Sequence, residues 1–376
     1  MHNGPRAVGM TLLAALAASQ AALVVLNPLL PDVARDLDIS IATAGQLRTV
    51  SGLAAGVAAL AAGLLATRFG LRELLLGAIT TLALGSIVSA GASDFAVLVA
   101  AQTLAGVGIG ISYSAAVAAT AEWSTTVDRA RVLALTLLGP PLAWIIGMPL
   151  VGLIGEASWR VAWVVVPVSM AVVAIGLLLR RPVTPPARAR AGVRTVLMQP
   201  GVARWTVGEL FAFSGWAGTL VYVGALLVES YDLSIAATGL VLGFGALVYV
   251  PGNLLFRRWV DEYTRPLLIG LALSAAVTVG VLGVVRPSVW FSLMLFSILC
   301  FIAGGRTLAG SARGLGLAHE LRLGVTGLRT AAIQSGYFVG AAVGGVALVA
   351  GGYALLGLAC AALFVGAAIP HLLSLR

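Results

Sequence analysis

The chain has no lysine: its 23 basic residues are all arginine, set against 14 acidic ones. A phosphate-cradling Walker loop needs a lysine before Ser or Thr, so no ATP-driven motor is encoded here. Charge of either sign is scarce, at 10% of residues, where soluble domains carry about a quarter. Histidine is limited to His2, His319 and His371, at the termini or in a loop, which leaves no cluster to hold a metal. Cysteine is limited to Cys300 and Cys360, both within apolar runs, where a thiol serves as a small core residue. The groups a membrane enzyme would need at depth, a His pair, a carboxylate pair or a metal cluster, are missing.

What remains is apolar. Hydrophobic residues make up 60% of the chain and mean hydropathy is +1.04. At about 20 residues per crossing, this is an all-α, multi-pass membrane protein. Twelve spans are predicted, at 7–30, 44–66, 74–91, 95–120, 132–154 and 161–179, then 202–228, 236–256, 266–285, 288–310, 323–349 and 353–373. The start mimics a signal peptide, with Arg6 before an apolar stretch and small residues near Ala18. It continues without a break to Leu30, which favours a first span. One long polar stretch, RRPVTPPARARAGVRTVLMQP at 180–200, reads as a linker. The expected organisation is a six-helix bundle at 1–179, a Pro/Arg-rich linker at 180–202 and a second six-helix bundle at 203–376.

Arginine placement tests the count. Alternate loops collect Arg6, Arg68, Arg72, Arg129, Arg131, the linker cluster, Arg257, Arg258, Arg265, Arg313, Arg322 and Arg376 on one side, and only Arg35, Arg160 and Arg286 on the other. Positive charge marks the cytoplasmic side, so both termini and the linker are expected there, in the cytoplasmic membrane. The net charge of +9 is then a topology signal and implies no nucleic acid. Each half carries a basic turn after its second span, Arg68/Arg72 and Arg257/Arg258/Arg265, as a duplicated transporter plan would.

The stretch 137–160, LLGPPLAWIIGMPLVGLIGEASWR, is long enough to cross a bilayer yet carries Pro140, Pro141 and Pro149 with Gly139, Gly147, Gly152 and Gly155. Proline removes a backbone donor and bends a helix; neighbours in a membrane can re-satisfy the freed carbonyls, and glycine lets them come close. A span that flexes against a partner is expected.

These residues resemble the major facilitator superfamily, in its twelve-helix, proton-coupled drug-efflux type. Gly63, Thr67, Arg68, Gly70 and Arg72 resemble the signature of the loop between the second and third spans. Pro28, Pro31 and Asp32 resemble the exit of the first span. Gly139, Pro140, Gly147, Pro149 and Gly152, followed by Trp159 and Arg160, resemble the antiporter signature of the fifth. Gly340, Gly344, Gly345, Gly351 and Gly352 resemble the glycine pattern of the eleventh. The resemblance implies two pseudo-symmetric bundles that rock about a midplane cavity. Two departures stand out. Thr67 replaces the usual aspartate, which implies a weaker charge lock, and Gln102 replaces the usual arginine of the fourth span, which bears on the proton route.

Intramembrane charge marks function. Glu209, in the run VGELFAFSGW, is the clearest candidate for proton coupling, with a structural ion pair to Arg204 or Arg329 as the alternative. Asp32 is a second coupling candidate at the outer exit. Arg48, Arg306 and Arg329 lie near predicted span ends, where they can snorkel; Arg306 could also serve as a gate or counter-ion. The resemblance implies a cavity lined by the first, fourth, seventh and tenth spans. These offer Gln20, Asn27, Gln102, Tyr113, Phe211, Phe213, Trp216, Tyr222, Trp290, Phe291 and Met294. Such an aromatic wall suits an amphipathic or weakly charged organic molecule. The expected function is secondary transport of such a molecule, as proton-linked efflux or, alternatively, as a facilitator or proton symporter. No cofactor beyond a proton gradient is expected; the partners are the small-molecule substrate, protons and lipid, with the chain acting as a monomer. A membrane enzyme or a non-transporting sensor is the different-class alternative.

Overall fold

The computed structural model describes residues 4–125, 127–183, 185–186, 193–317 and 321–373. His2, Arg188, Arg190, His319 and Arg376 lie outside them. The described residues are helical, with eleven helices long and apolar enough to cross a membrane. They are α1 (Pro5–Asp36), α2 (Ile41–Leu65), α3 (Leu71–Ala90), α4 (Phe95–Glu122), α5 (Arg131–Gly155), α6 (Trp159–Leu179), α7 (Val202–Tyr231), α8 (Ile235–Phe256), α9 (Glu262–Val284) and α10 (Val289–Leu317). The eleventh, Arg322–Leu372, breaks at Gly351 and Gly352 into two arms, α11 and α12. Gly352 takes φ +63°, a conformation glycine adopts without penalty. Twelve crossings result, as predicted.

The prolines explain the irregular helices. Pro28 cannot donate to the Val24 carbonyl one turn back, and α1 is interrupted at Val25. In α5 the corresponding gap before Pro149 is taken up by a π turn at Ala143–Gly147, a known site of helix bending. Polar residues start several helices: Ser40 Oγ accepts from Thr43 N–H, Asp94 from Val97 and Ser234 from Ala237.

The two halves repeat one device. Arg72, at the start of α3, donates to the carbonyls of Leu178 and Leu179 at the end of α6, 106 and 107 residues on. Arg265, at the start of α9, donates to those of His371 and Leu372 at the end of α12, again 106 and 107 residues on. In both halves an arginine meets the negative end of a helix dipole. The shared basic turn seen in the sequence is therefore also a shared clamp.

The halves touch along α2–α11, α5–α8 and α1–α7. At the end opposite the termini the contact is backbone-close. A side chain at Gly152 would lie 2.7 Å from the Ile235 carbonyl and 2.9 Å from Gly239 Cα, and Gly224 faces the Asn27 carbonyl that Pro31 leaves without its helical donor. Glu156 bridges the halves there, its carboxylate accepting from the Ala236 N–H at 2.8 Å. Gly147, unlike Gly139 and Gly152 of the same span, has open space where its side chain would be. Large apolar side chains such as Val57, Leu64, Val172, Leu254 and Val346 point outward, the surface a lipid-facing bundle presents.

Candidate functional site

At the end bearing the termini, a cavity of about 520 Å³ opens between the halves. Tyr113, Val117 and Thr120 of α4, and Leu133 and Leu137 of α5, line one wall. Trp205 of α7, Ser311 and Gly314 of α10, and Arg329 and Ile333 of α11 line the other. Deeper and against the second half lies an apolar chamber of about 30 Å³, edged by Trp144, Phe213, Trp216, Tyr249, Arg306 and Thr307. The Trp144 ring stacks at 5.7 Å from both Trp216 (tilted) and Tyr249 (edge-on).

A buried charge cluster stands where the two spaces meet. Glu209 of α7 is fully buried and is the only fully buried carboxylate among the described residues. Arg306 Nη1 of α10 donates to its Oε1 at 2.5 Å, and Arg329 Nε of α11 donates to its Oε2 at 2.7 Å. The arginines are fixed from behind: Arg306 Nη2 donates to the Gly208 carbonyl at 3.0 Å and Arg329 Nη2 to the Thr307 carbonyl at 3.1 Å. Gly310 makes room for the carboxylate, since a side chain there would lie 2.5 Å from Oε1. The Gly310 carbonyl is held by Trp205 Nε1 at 2.9 Å. Arg329 also lies 5.7 Å from the Phe213 ring.

The structure redistributes the expected residues. Arg329 does not snorkel: its side chain is 14% exposed and paired with Glu209. α11 begins at Arg322, so Arg329 sits two turns inside. Arg48 and Arg306 are likewise buried, 2% and 4% exposed, and Arg204 is exposed on the far side of its helix. Tyr113 lines the open cavity, and Phe213, Trp216 and Arg306 line the apolar chamber. Trp290 does not; it is 76% exposed at the outer end of α10. Gln102 turns into its own half and donates to Ser89 Oγ at 2.9 Å. Tyr222 is wedged between α2 and α11, its hydroxyl donating to the Ala341 carbonyl at 3.0 Å. Gln20 and Asn27 are buried on α1 and line neither space, and both Asn27 amide atoms lack partners among the described residues. Asp32 pairs with Arg35 at 2.7 Å, three residues on.

Sequence reasoning missed Trp144 and Tyr249, because it confined the cavity to four spans. The signal was present as aromatics interrupting glycine-rich apolar runs. Of the loop signature, Thr67 bonds, among the described residues, only its own turn, through Oγ1 to the Leu64 carbonyl at 2.7 Å. Arg68 is exposed, Gly70 starts α3, and Gly63 edges a small groove of about 120 Å³ with Val196, Gly324 and Gly327. Pro140 and Gly139 sit on α1, a side chain at Gly139 meeting the Leu13 carbonyl at 2.7 Å.

The chain is 29% identical over 306 residues to a chloramphenicol resistance protein of Streptomyces lividans, spanning 75% of this chain and 78% of that one. It is 25% identical over 283 residues to an uncharacterized MFS-type transporter, YtbD, of Bacillus subtilis (72% and 69% covered). The crystal structure of a bacterial homolog of the human lysosomal transporter Spinster, in an inward-facing and unoccupied conformation, superposes with a TM-score of 0.81 at 14% identity, covering 98% of this chain and 96% of that one. The profile of the Major Facilitator Superfamily matches residues 12–305. With twelve crossings in two bundles about a cavity, this chain belongs to the Major Facilitator Superfamily and is a membrane transporter of small molecules, not an enzyme.

Proposed function

We propose that the protein exports a small amphipathic organic molecule by proton-coupled alternating access, with Glu209 as the coupling group. The observation that carries this reading is the placement of Glu209: it is buried, it is held between Arg306 and Arg329, and Arg329 lines the open cavity. A proton arriving on Oε2 cancels the ion pair with Arg329 and frees its guanidinium. That guanidinium sits on α11, the helix packed across the halves on α2. The loaded state then has a different charge at the contact that must slide when the halves rock. Cargo entering beside Arg329 competes for the same guanidinium, which links substrate to proton.

The basic end of the chain is the cytoplasmic one, so the cavity opens inward in the cell's plasma membrane and the Glu156–Ala236 side is outermost. The chloramphenicol resistance relative supports export of an aromatic-bodied compound. The chain works as a monomer and uses the proton gradient as its only energy source.

The test is transport in proteoliposomes with an imposed pH gradient, wild type beside Glu209→Gln, using lipophilic dyes and antibiotics. Gradient-driven movement that disappears in Glu209→Gln is expected. Movement indifferent to the gradient in both proteins leaves a facilitator, the second reading, which the local bonding of Thr67 and Gln102 favours.

A further inference from the structure

Arg48 of α2 has no use in the scheme above. It is 2% exposed; among the described residues its one side-chain hydrogen bond goes to Ser51 Oγ at 3.4 Å on the same helix, and its Nε has no partner. None of the described ion pairs includes it. Its guanidinium lies 5.7 Å from the Tyr337 ring, and the Tyr337 hydroxyl meets the Trp216 indole at the edge of the apolar chamber. Gln334, one turn from Tyr337 on α11, is 1% exposed and has both amide atoms unpartnered among the described residues. Around this centre stand three arginines, Arg48, Arg306 and Arg329, and one carboxylate, Glu209.

A buried arginine without a counter-ion is costly, and the cost is removed when an anion binds beside it. We infer that the cargo is an organic monoanion, a carboxylate on an aromatic or aliphatic body. The carboxylate is received by Arg48 with Gln334 alongside, and the body parts Trp216, Trp144 and Tyr249, whose chamber of about 30 Å³ widens to take it. A guanidinium donates two parallel N–H bonds to a carboxylate, and the rings bury the body. Surplus positive charge excludes lipophilic cations and leaves neutral isosteres without the one contact that offsets the buried arginine. This inference rests on the reading of the chain as a transporter with its site at this chamber, and it is independent of proton coupling.

The test is calorimetric binding to the purified protein in detergent, with no gradient. It uses matched pairs: 1-naphthoate and 1-naphthamide, indole-3-acetate and indole-3-acetamide, decanoate and decanamide. At least one carboxylate is expected to bind about tenfold or more tightly than its amide, as a lost charge-assisted hydrogen bond implies. Arg48→Gln is expected to bring that ratio to about one, and Arg48→Lys to leave it intermediate. A panel in which no carboxylate outbinds its amide overturns the inference, as does a ratio that survives in Arg48→Gln. Should Arg48→Gln not fold, Arg48→Lys carries the test, and an unchanged ratio there overturns it. Wild-type transport that ignores the pH gradient, with the ratio intact, would refute proton coupling and leave this inference standing.

Discussion

Arg329 and Glu209 are 120 positions apart in the chain and 2.7 Å apart in space, and the second carboxylate oxygen is held at 2.5 Å by Arg306. One carboxylate thus ties α7, α10 and α11 together. Removing its charge leaves two buried cations facing a neutral amide. Glu209→Gln is expected to destabilise the protein by about 3–5 kcal/mol, the cost of breaking a buried pair, seen as a lower melting temperature in detergent. Arg329→Gln added to it should recover part of the loss. A double variant no more stable than the single one would show that the pairing carries no such energy.

The outer end should open when the one cross-half carboxylate contact among its described residues is cut. Glu156 accepts from the Ala236 N–H in the first turn of α8, and losing such a cap costs about 0.5–2 kcal/mol. In Glu156→Ala, spin labels at Arg35 and Ser234 should gain a longer-distance population. Identical distance distributions in both proteins would count against the latch.

The paired clamps should be equivalent in energy. Arg72 holds the Leu178 and Leu179 carbonyls as Arg265 holds those of His371 and Leu372. Arg72→Ala and Arg265→Ala should each lower stability by about 1–3 kcal/mol, with comparable melting shifts. An effect confined to one half would break the equivalence.

Acid sensitivity should be traceable to Asp94. Its carboxylate accepts from Val97 N–H and from Ser93, which hold its pKa below the ordinary 3.8. A depressed folded-state value means the contribution is present above 3.8 and lost as pH falls through the lower, folded value. Asp94→Asn, which keeps an acceptor oxygen without the charge, should show a flatter melting temperature below about pH 4 than wild type. Parallel acid limbs for the two proteins would rule Asp94 out.

The twelve crossings were legible because each is a run of apolar residues ended by arginines, by a polar turn or by glycines, and the break at Gly351 and Gly352 falls where the sequence places the last turn. The site was less legible. Glu209 stood out as a lone acid, but its partners lie 97 and 120 residues away, and nothing in the pattern of α10 or α11 says which face meets α7. Arg329 was named as one alternative partner of Glu209, and that pairing is present; its snorkelling reading failed because a boundary error of a few residues separates an arginine at a span end from one inside. Trp290 was misread for a related reason: α10 has apolar residues on every side, so hydropathy gives no inward direction, and its ring faces out.

The π turn at Ala143–Gly147 sets the phase of α5. An extra residue in one turn rotates everything beyond it by about 100° relative to a regular helix. The outer half of α5 therefore presents Gly152 to α8 while the inner half presents Leu133 and Leu137 to the cavity. Deleting one residue from this turn would keep the span's composition and nearly its length. It would nonetheless turn Gly152 away from Gly239 and put a bulkier neighbour in the crossing, so the fifth crossing has its two faces set by residue count as well as by residue type.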